Sequence, residues 1–146
     1  MAQQPEKGDA IMDVEIKSGY MLLFRGTNWD KDLSPDQIQD TMSRWSDWFE
    51  GLMADGRAKT GQPLYSEGKI VSGKNGSTVA DGPFAESKEA IAGYFLLTVE
   101  TEAEALEIAK LCPALEHGMQ VEVRPVRDSC PVMERARQFA AAQASG

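Results

Sequence analysis

Apolar positions along this chain fall into runs of two different periods. Tyr20-Met21-Leu22-Leu23-Phe24 and Tyr94-Phe95-Leu96-Leu97-Thr98-Val99 are continuous runs rich in aromatic and branched residues, the pattern of strands buried on both faces. Between them Ile38, Met42, Trp45, Phe49 and Leu52 recur at alternating steps of four and three, a single helical stripe that Trp48 widens. Ser34-Pro35-Asp36-Gln37 marks where that helix starts: a hydroxyl cap, Pro at the first helical position, and Gln to close a capping box. Asp55-Gly56 ends it, because Gly accepts the left-handed conformation a helix terminus needs. Residues 57–68 show no period and read as loop. Lys69-Ile70-Val71-Ser72 and Ser77-Thr78-Val79-Ala80 flank Asn75-Gly76, which is a hairpin signal.

Asp81-Gly82-Pro83 sets a tight reversal, with Gly82 expected at positive φ. Phe84 is too large to leave bare and is expected to plug the core or a subunit contact. Residues 86–91 read as one short helical turn, and Gly93 as the entry to the strand at Tyr94. Thr101-Glu102-Ala103-Glu104 caps a second helix whose buried face is Ala105, Ile108, Ala109 and Cys112, and Pro113 stops it. Gln120-Val121-Glu122-Val123-Arg124-Pro125-Val126 alternates strictly, so Val121 and Val123 face one way and Glu122 and Arg124 the other. Pro125 places that strand at an edge or at its own end. Val132, Ala136, Phe139 and Ala140 mark a C-terminal helix. Three segments follow: a flexible leader over residues 1–17, one domain over 18–128, and a helical tail over 129–146.

The order strand, helix, hairpin, short helix, strand, helix, strand is the βαββαβ plan of a ferredoxin-like α+β sandwich, one antiparallel sheet with two helices on one face. The strands at Tyr20 and Tyr94 would be central. Two helices cover one face of that sheet only, yet both central strands are apolar on both. A second copy of the sheet is the cheapest cover, which predicts a homodimer of sheet-on-sheet type.

Composition narrows the function mainly by exclusion. At 146 residues, 42% hydrophobic and 26% charged, the chain has the make-up of one soluble globular domain. A net charge of -8 without any basic cluster argues against a nucleic-acid partner. No apolar run is long enough for a bilayer, and Met1 to Asp9 lack the apolar core of a signal peptide, so no membrane association and a cytoplasmic location are expected. Cys112 and Cys130 stand far apart beside a single histidine, so no metal site and no cofactor are expected, and the thiols read as reduced.

Two groups of side chains have chemistry to offer. His117, in Glu116-His117-Gly118, suits general acid–base work if a carboxylate orients it, and Asp81 is the candidate partner. The plain alternative is a solvated loop histidine and an aspartate bonded to its own turn. Arg124 beside Glu122 offers a guanidinium to a small anionic molecule, with Tyr94 as an aromatic wall; the plain alternative is a structural ion pair and a packed ring.

Asp81-Gly82-Pro83-Phe84, taken with Tyr20-Met21-Leu22-Leu23, Trp45, Gly61-Gln62-Pro63-Leu64, Gly93-Tyr94, Ala103-Glu104-Ala105, Cys112-Pro113 and the strand from Glu122 to Val126, closely resembles the YCII-related proteins of the DGPF-domain type. These are small bacterial proteins. The resemblance implies a dimeric α/β barrel but no assigned reaction: similar folds host isomerases, mono-oxygenases, dehydrochlorinases and non-catalytic proteins. It also implies that wider relatives use a His-Asp pair, and that DGPF proteins are associated with sigma factors through gene neighbourhood. Three readings result. A small organic ligand held in a dimer cleft is preferred. The alternatives are an acid–base enzyme (lyase, isomerase or dehydrochlorinase) using His117 and Asp81, and a regulatory partner of sigma-factor-linked transcription.

Overall fold

β1 (Gly19–Arg25) lies at the centre of a four-stranded antiparallel sheet, because its side chains are apolar in both directions. The computed structural model describes residues 19–84, 87 and 89–144. The leader expected over residues 1–17 lies outside them. The sheet order is β2 (Ala58–Pro63), β5 (Ile91–Leu97), β1, β6 (Gln120–Val126), so the two apolar runs are indeed its inner strands. That order is the one a βαββαβ plan requires, and the fold is α+β.

α1 (Pro35–Ala54) starts as its residues dictate. The Gln37 amide N–H donates to Ser34 Oγ at 3.2 Å, and the Ser34 N–H donates to Gln37 Oε1 at 2.9 Å. α2 (Glu102–Ala109) is capped by Thr101, whose hydroxyl accepts from the Glu104 N–H at 3.2 Å. Both helices pack on one face of the sheet. There Leu22 and Phe24 of β1 and Phe95 and Leu97 of β5 meet Leu52 of α1 and Ala105 and Ile108 of α2. Phe24 sits edge-on to Trp45 (ring centroids 4.8 Å apart) and to Phe95 (4.8 Å). Each such pair adds about 0.5–1.5 kcal/mol to the burial of its rings.

Residues 57–68 are not simply loop: Ala58–Pro63 is a strand, and it takes the edge of the main sheet expected for the hairpin. β3 (Lys69–Ser72) and β4 (Thr78–Asp81) do pair, but with each other alone, as a two-stranded ribbon exposed at every residue. The physical reason lies in two glycines. A Cβ on Gly61 would stand 2.6 Å from Phe95 Cδ1, and one on Gly93 would stand 2.7 Å from Gln62 O. Only this glycine-bearing strand can approach β5 closely without displacing ring or backbone. Gly93 therefore lies inside β5 rather than at its entry, and the strand begins at Ile91 and ends at Leu97.

Gly82 has φ +147, as its turn demands. Phe84 does not plug the core of the chain: it is 71% exposed. Of the short helical turn expected over residues 86–91, Glu86 and Lys88 lie outside the described residues and Ile91 already belongs to β5. α3 (Pro131–Ala144) follows β6 with no buried residue.

Candidate functional site

In an antiparallel sheet, directly opposed residues share a face. Leu22 and Phe24 point to the helices, so Met21, Leu23 and Arg25 point away from them. Pairing then defines two rows across the face opposite α1 and α2: Gln62, Tyr94, Leu23 and Glu122, and beside it Thr60, Leu96, Met21 and Arg124. Tyr94, Glu122 and Arg124, predicted as ligand-binding from the sequence, thus stand on one surface. Its centre is apolar, with Met21, Leu23 and Tyr94 half-buried and Leu96 buried.

Charge is concentrated at the β6 margin. Arg25 Nε donates to Glu122 Oε1 at 2.7 Å, and Arg124 Nε is bonded to Glu122 Oε2. The Arg25 guanidinium first, then Arg124, holds the Glu122 carboxyl below its usual range. Two guanidiniums thus flank one carboxylate at this margin. Arg25 went unnoticed in the sequence because it closes an apolar run; its parity with Met21 and Leu23 is the signal that would have found it.

His117 and Asp81 are not brought together. Asp81, at the end of β4, pairs with Lys69 across the exposed hairpin. His117 lies in the turn Leu115–His117 that precedes the left-handed Gly118 (φ +91), its side chain 16% exposed. Its Nε2 is 3.2 Å from Thr41 Oγ1 and 3.3 Å from Glu116 Oε1, and its ring stacks on Trp29 at 6.1 Å. Thr41 donates its hydroxyl proton to Gln37 O at 2.9 Å, so its oxygen accepts from His117 and Nε2 carries the hydrogen. The Arg44 guanidinium, which donates to Glu116 at 2.7 Å and also to Asp40, holds the Glu116 carboxyl below its usual range. The cluster ties the turn to α1, with Nε2 already committed as a donor. Thr41 is the residue sequence reasoning missed here: a polar position within the apolar stripe, three residues after Ile38 and four before Trp45, and 1% exposed.

A third feature is a cavity of about 280 Å3 under α1, on the helix side of the sheet, walled by Trp29, Trp45 and Phe49. Trp45 therefore serves pocket as well as core. Among the described residues, no group of three or more His, Cys, Asp or Glu side chains is placed to hold a metal ion. No helix of the described residues is long and apolar enough to cross a membrane.

Comparison with known proteins adds one finding. The family model of the YCII-related domain matches residues 20–129, from the second residue of β1 to the segment just before α3. A search of curated proteins returned no match.

Proposed function

The chain belongs to the YCII-related family, and from that premise we propose that two copies pair sheet to sheet and hold a small organic ligand in the cleft between them. One observation carries the reading. The sheet face opposite α1 and α2 combines an apolar centre, Met21, Leu23, Tyr94 and Leu96, with a charged margin in which Arg25 and Arg124 flank Glu122. An apolar floor with a few oriented polar groups is what small-molecule sites are made of. Arg124 is the guanidinium for a carboxylate or similar anion, its side chain being 66% exposed, and Tyr94 is the wall against which the ligand body lies. Leu23 and Met21, on the central strand of that face, supply the apolar contact between copies.

The acid–base reading loses support from the geometry. Its carboxylate partner, Asp81, is paired with Lys69 on the exposed hairpin, whereas His117 is fastened to α1 through Thr41.

Sedimentation at low protein concentration tests the pairing. The expected species has twice the 16.0 kDa chain mass, and Leu23→Asp converts it to a monomer. Native mass spectrometry of protein purified directly from cells tests the ligand: a co-purifying small acid is expected, and Arg124→Ala should lose it. A wild-type monomer, or a bound species indifferent to Arg124, refutes the proposal.

A further inference from the structure

The cavity under α1 is on the opposite side of the sheet from the proposed cleft, and its lining differs in kind. Phe24, Phe95 and Met119 form a buried floor. Met42, 44% exposed, and Ser46 of α1 form one lip, with Pro63 of β2 as the other. Among the described residues, none that lines it is charged. We propose that this is a second ligand site, for an uncharged, flat aromatic molecule of one or two rings carrying a single hydroxyl or carbonyl group.

Protein interiors are packed as tightly as organic crystals and leave few voids larger than a water molecule. A solvent-open space of about 280 Å3 is therefore no packing defect, and it stands near the lower end of the roughly 300–1,000 Å3 usual for ligand pockets. Gly61 keeps it open. Any Cβ there would reach 2.6 Å from Phe95 Cδ1 and 3.0 Å from Phe49 Cε1, driving both rings out of their positions. Those rings already meet at 4.6 Å and 37°, and Trp45 stands edge-on to Phe24, so the walls present ring faces and edges together. A flat aromatic ligand meets such walls in the offset and edge-to-face arrangements that rings prefer, and the Met42 and Met119 sulfurs add polarisable contacts.

Specificity follows from what is missing from the lining. A carboxylate drawn into this pocket would give up its water with no cation to replace it, so charged analogues are rejected. One neutral polar group is tolerated, because the Ser46 hydroxyl at the lip can partner it. The cleft on the other face, with Arg124, has the reverse preference. The two sites therefore sort ligands by charge.

Isothermal titration of the full chain with 2-naphthol, and with naphthalene-2-carboxylate as its charged counterpart, tests the proposal. One 2-naphthol per chain is expected, with the carboxylate at least about tenfold weaker at this site. Ser46→Trp and Met42→Trp, both at exposed positions of α1, each fill the mouth. Each should weaken 2-naphthol by at least about tenfold, at an unchanged melting temperature. Two variants are used so that one misfolded protein does not decide the matter. No heat with the wild type, or undiminished binding in both folded variants, overturns the proposal. So does 2-naphthol binding that Arg124→Ala abolishes, which would put the molecule in the cleft. Binding that appears only in Phe84→Ser overturns it too, because a second copy's side chain would then be the occupant. Retention in Arg124→Ala with loss in the mouth variants supports this site, whether or not the cleft passes its own test.

Discussion

Replacing Gly93 with Ala adds one methyl group where the sheet has no room for it. The new Cβ would lie 2.7 Å from Gln62 O and 3.1 Å from Pro63 Cα, both of them backbone atoms of β2. No side chain can swing aside to relieve the contact. The edge strand must move by several tenths of an ångström, at the cost of its pairing with β5 over residues 58–63. Overpacking of this kind costs about 1–3 kcal/mol. Against it stands about 0.4–1 kcal/mol from the smaller entropy of the unfolded alanine chain. The expected net destabilisation is therefore about 1–2 kcal/mol, or roughly a 2–8 °C fall in melting temperature for a chain of this size. Gly51→Ala is the control, because a Cβ there meets nothing within 4 Å and the position lies in α1. The unfolded-state gain is common to both variants, and the helical position should make Gly51→Ala more stable than wild type by about 0.5–1 kcal/mol. Urea titrations with linear extrapolation measure both. If Gly93→Ala proves as stable as Gly51→Ala, close backbone approach is not why Gly93 is glycine, and the account of the edge strand fails with it.

Thr41→Val removes the oxygen that accepts from His117 while keeping the shape of the side chain. It should cost about 1–2 kcal/mol in urea melts, and an unchanged midpoint would show that the His117 tie is idle. Glu122 has its carboxyl lowered by Arg25 and Arg124, so its stabilising contribution is complete above the ordinary glutamate value of 4.5 and is lost as pH falls through the lowered one. Between about pH 5 and pH 3 the wild-type melting temperature should fall further than that of Glu122→Gln, and parallel curves would remove the ion cluster from the stability account. The two thiols should differ in reactivity. Burial pushes Cys112 up to about 11, whereas the Met133 and Val132 amides lower Cys130. Ellman's reagent at pH 7 should label Cys130 in the native protein and Cys112 only on unfolding; the reverse order would contradict the structure.

Most of the scaffold was readable because it rests on local rules. The Ser34 and Thr101 caps, the stripe ending at Leu52 and the alternation in β6 each depend on residues a few positions apart, and each stands where its pattern put it. The edge strand was not readable, since Ala58-Lys59-Thr60-Gly61-Gln62-Pro63 carries two residues that weaken a strand, Gly and Pro. What makes it a strand is nonlocal: Gly61 faces Phe95, and Gly93 faces the Gln62–Pro63 backbone. The hairpin had the stronger local signal and took the wrong place in the plan. Its β-branched residues pair well with each other, and pairing propensity says nothing about which sheet a strand will join.

The candidate site divides along the same line. Glu122 and Arg124 were legible as a pair because alternation alone puts them on one side of β6, and Tyr94 joins them through the register of three strands. His117 with Asp81 was inferred from residue type rather than position, and each has a different partner in the fold: one ends an exposed ribbon beside Lys69, the other is fastened to α1. The aromatic pocket falls between these cases. Its rings are conspicuous in the sequence, but rings along a helix stripe are ordinarily core, and Phe24, Trp45 and Phe95 do pack as core. What turns such a cluster into a cavity is a void beside it, and that void depends on Gly61, an atom's absence on a neighbouring strand. Sequence periodicity registers where side chains are; a pocket is decided by where one is withheld.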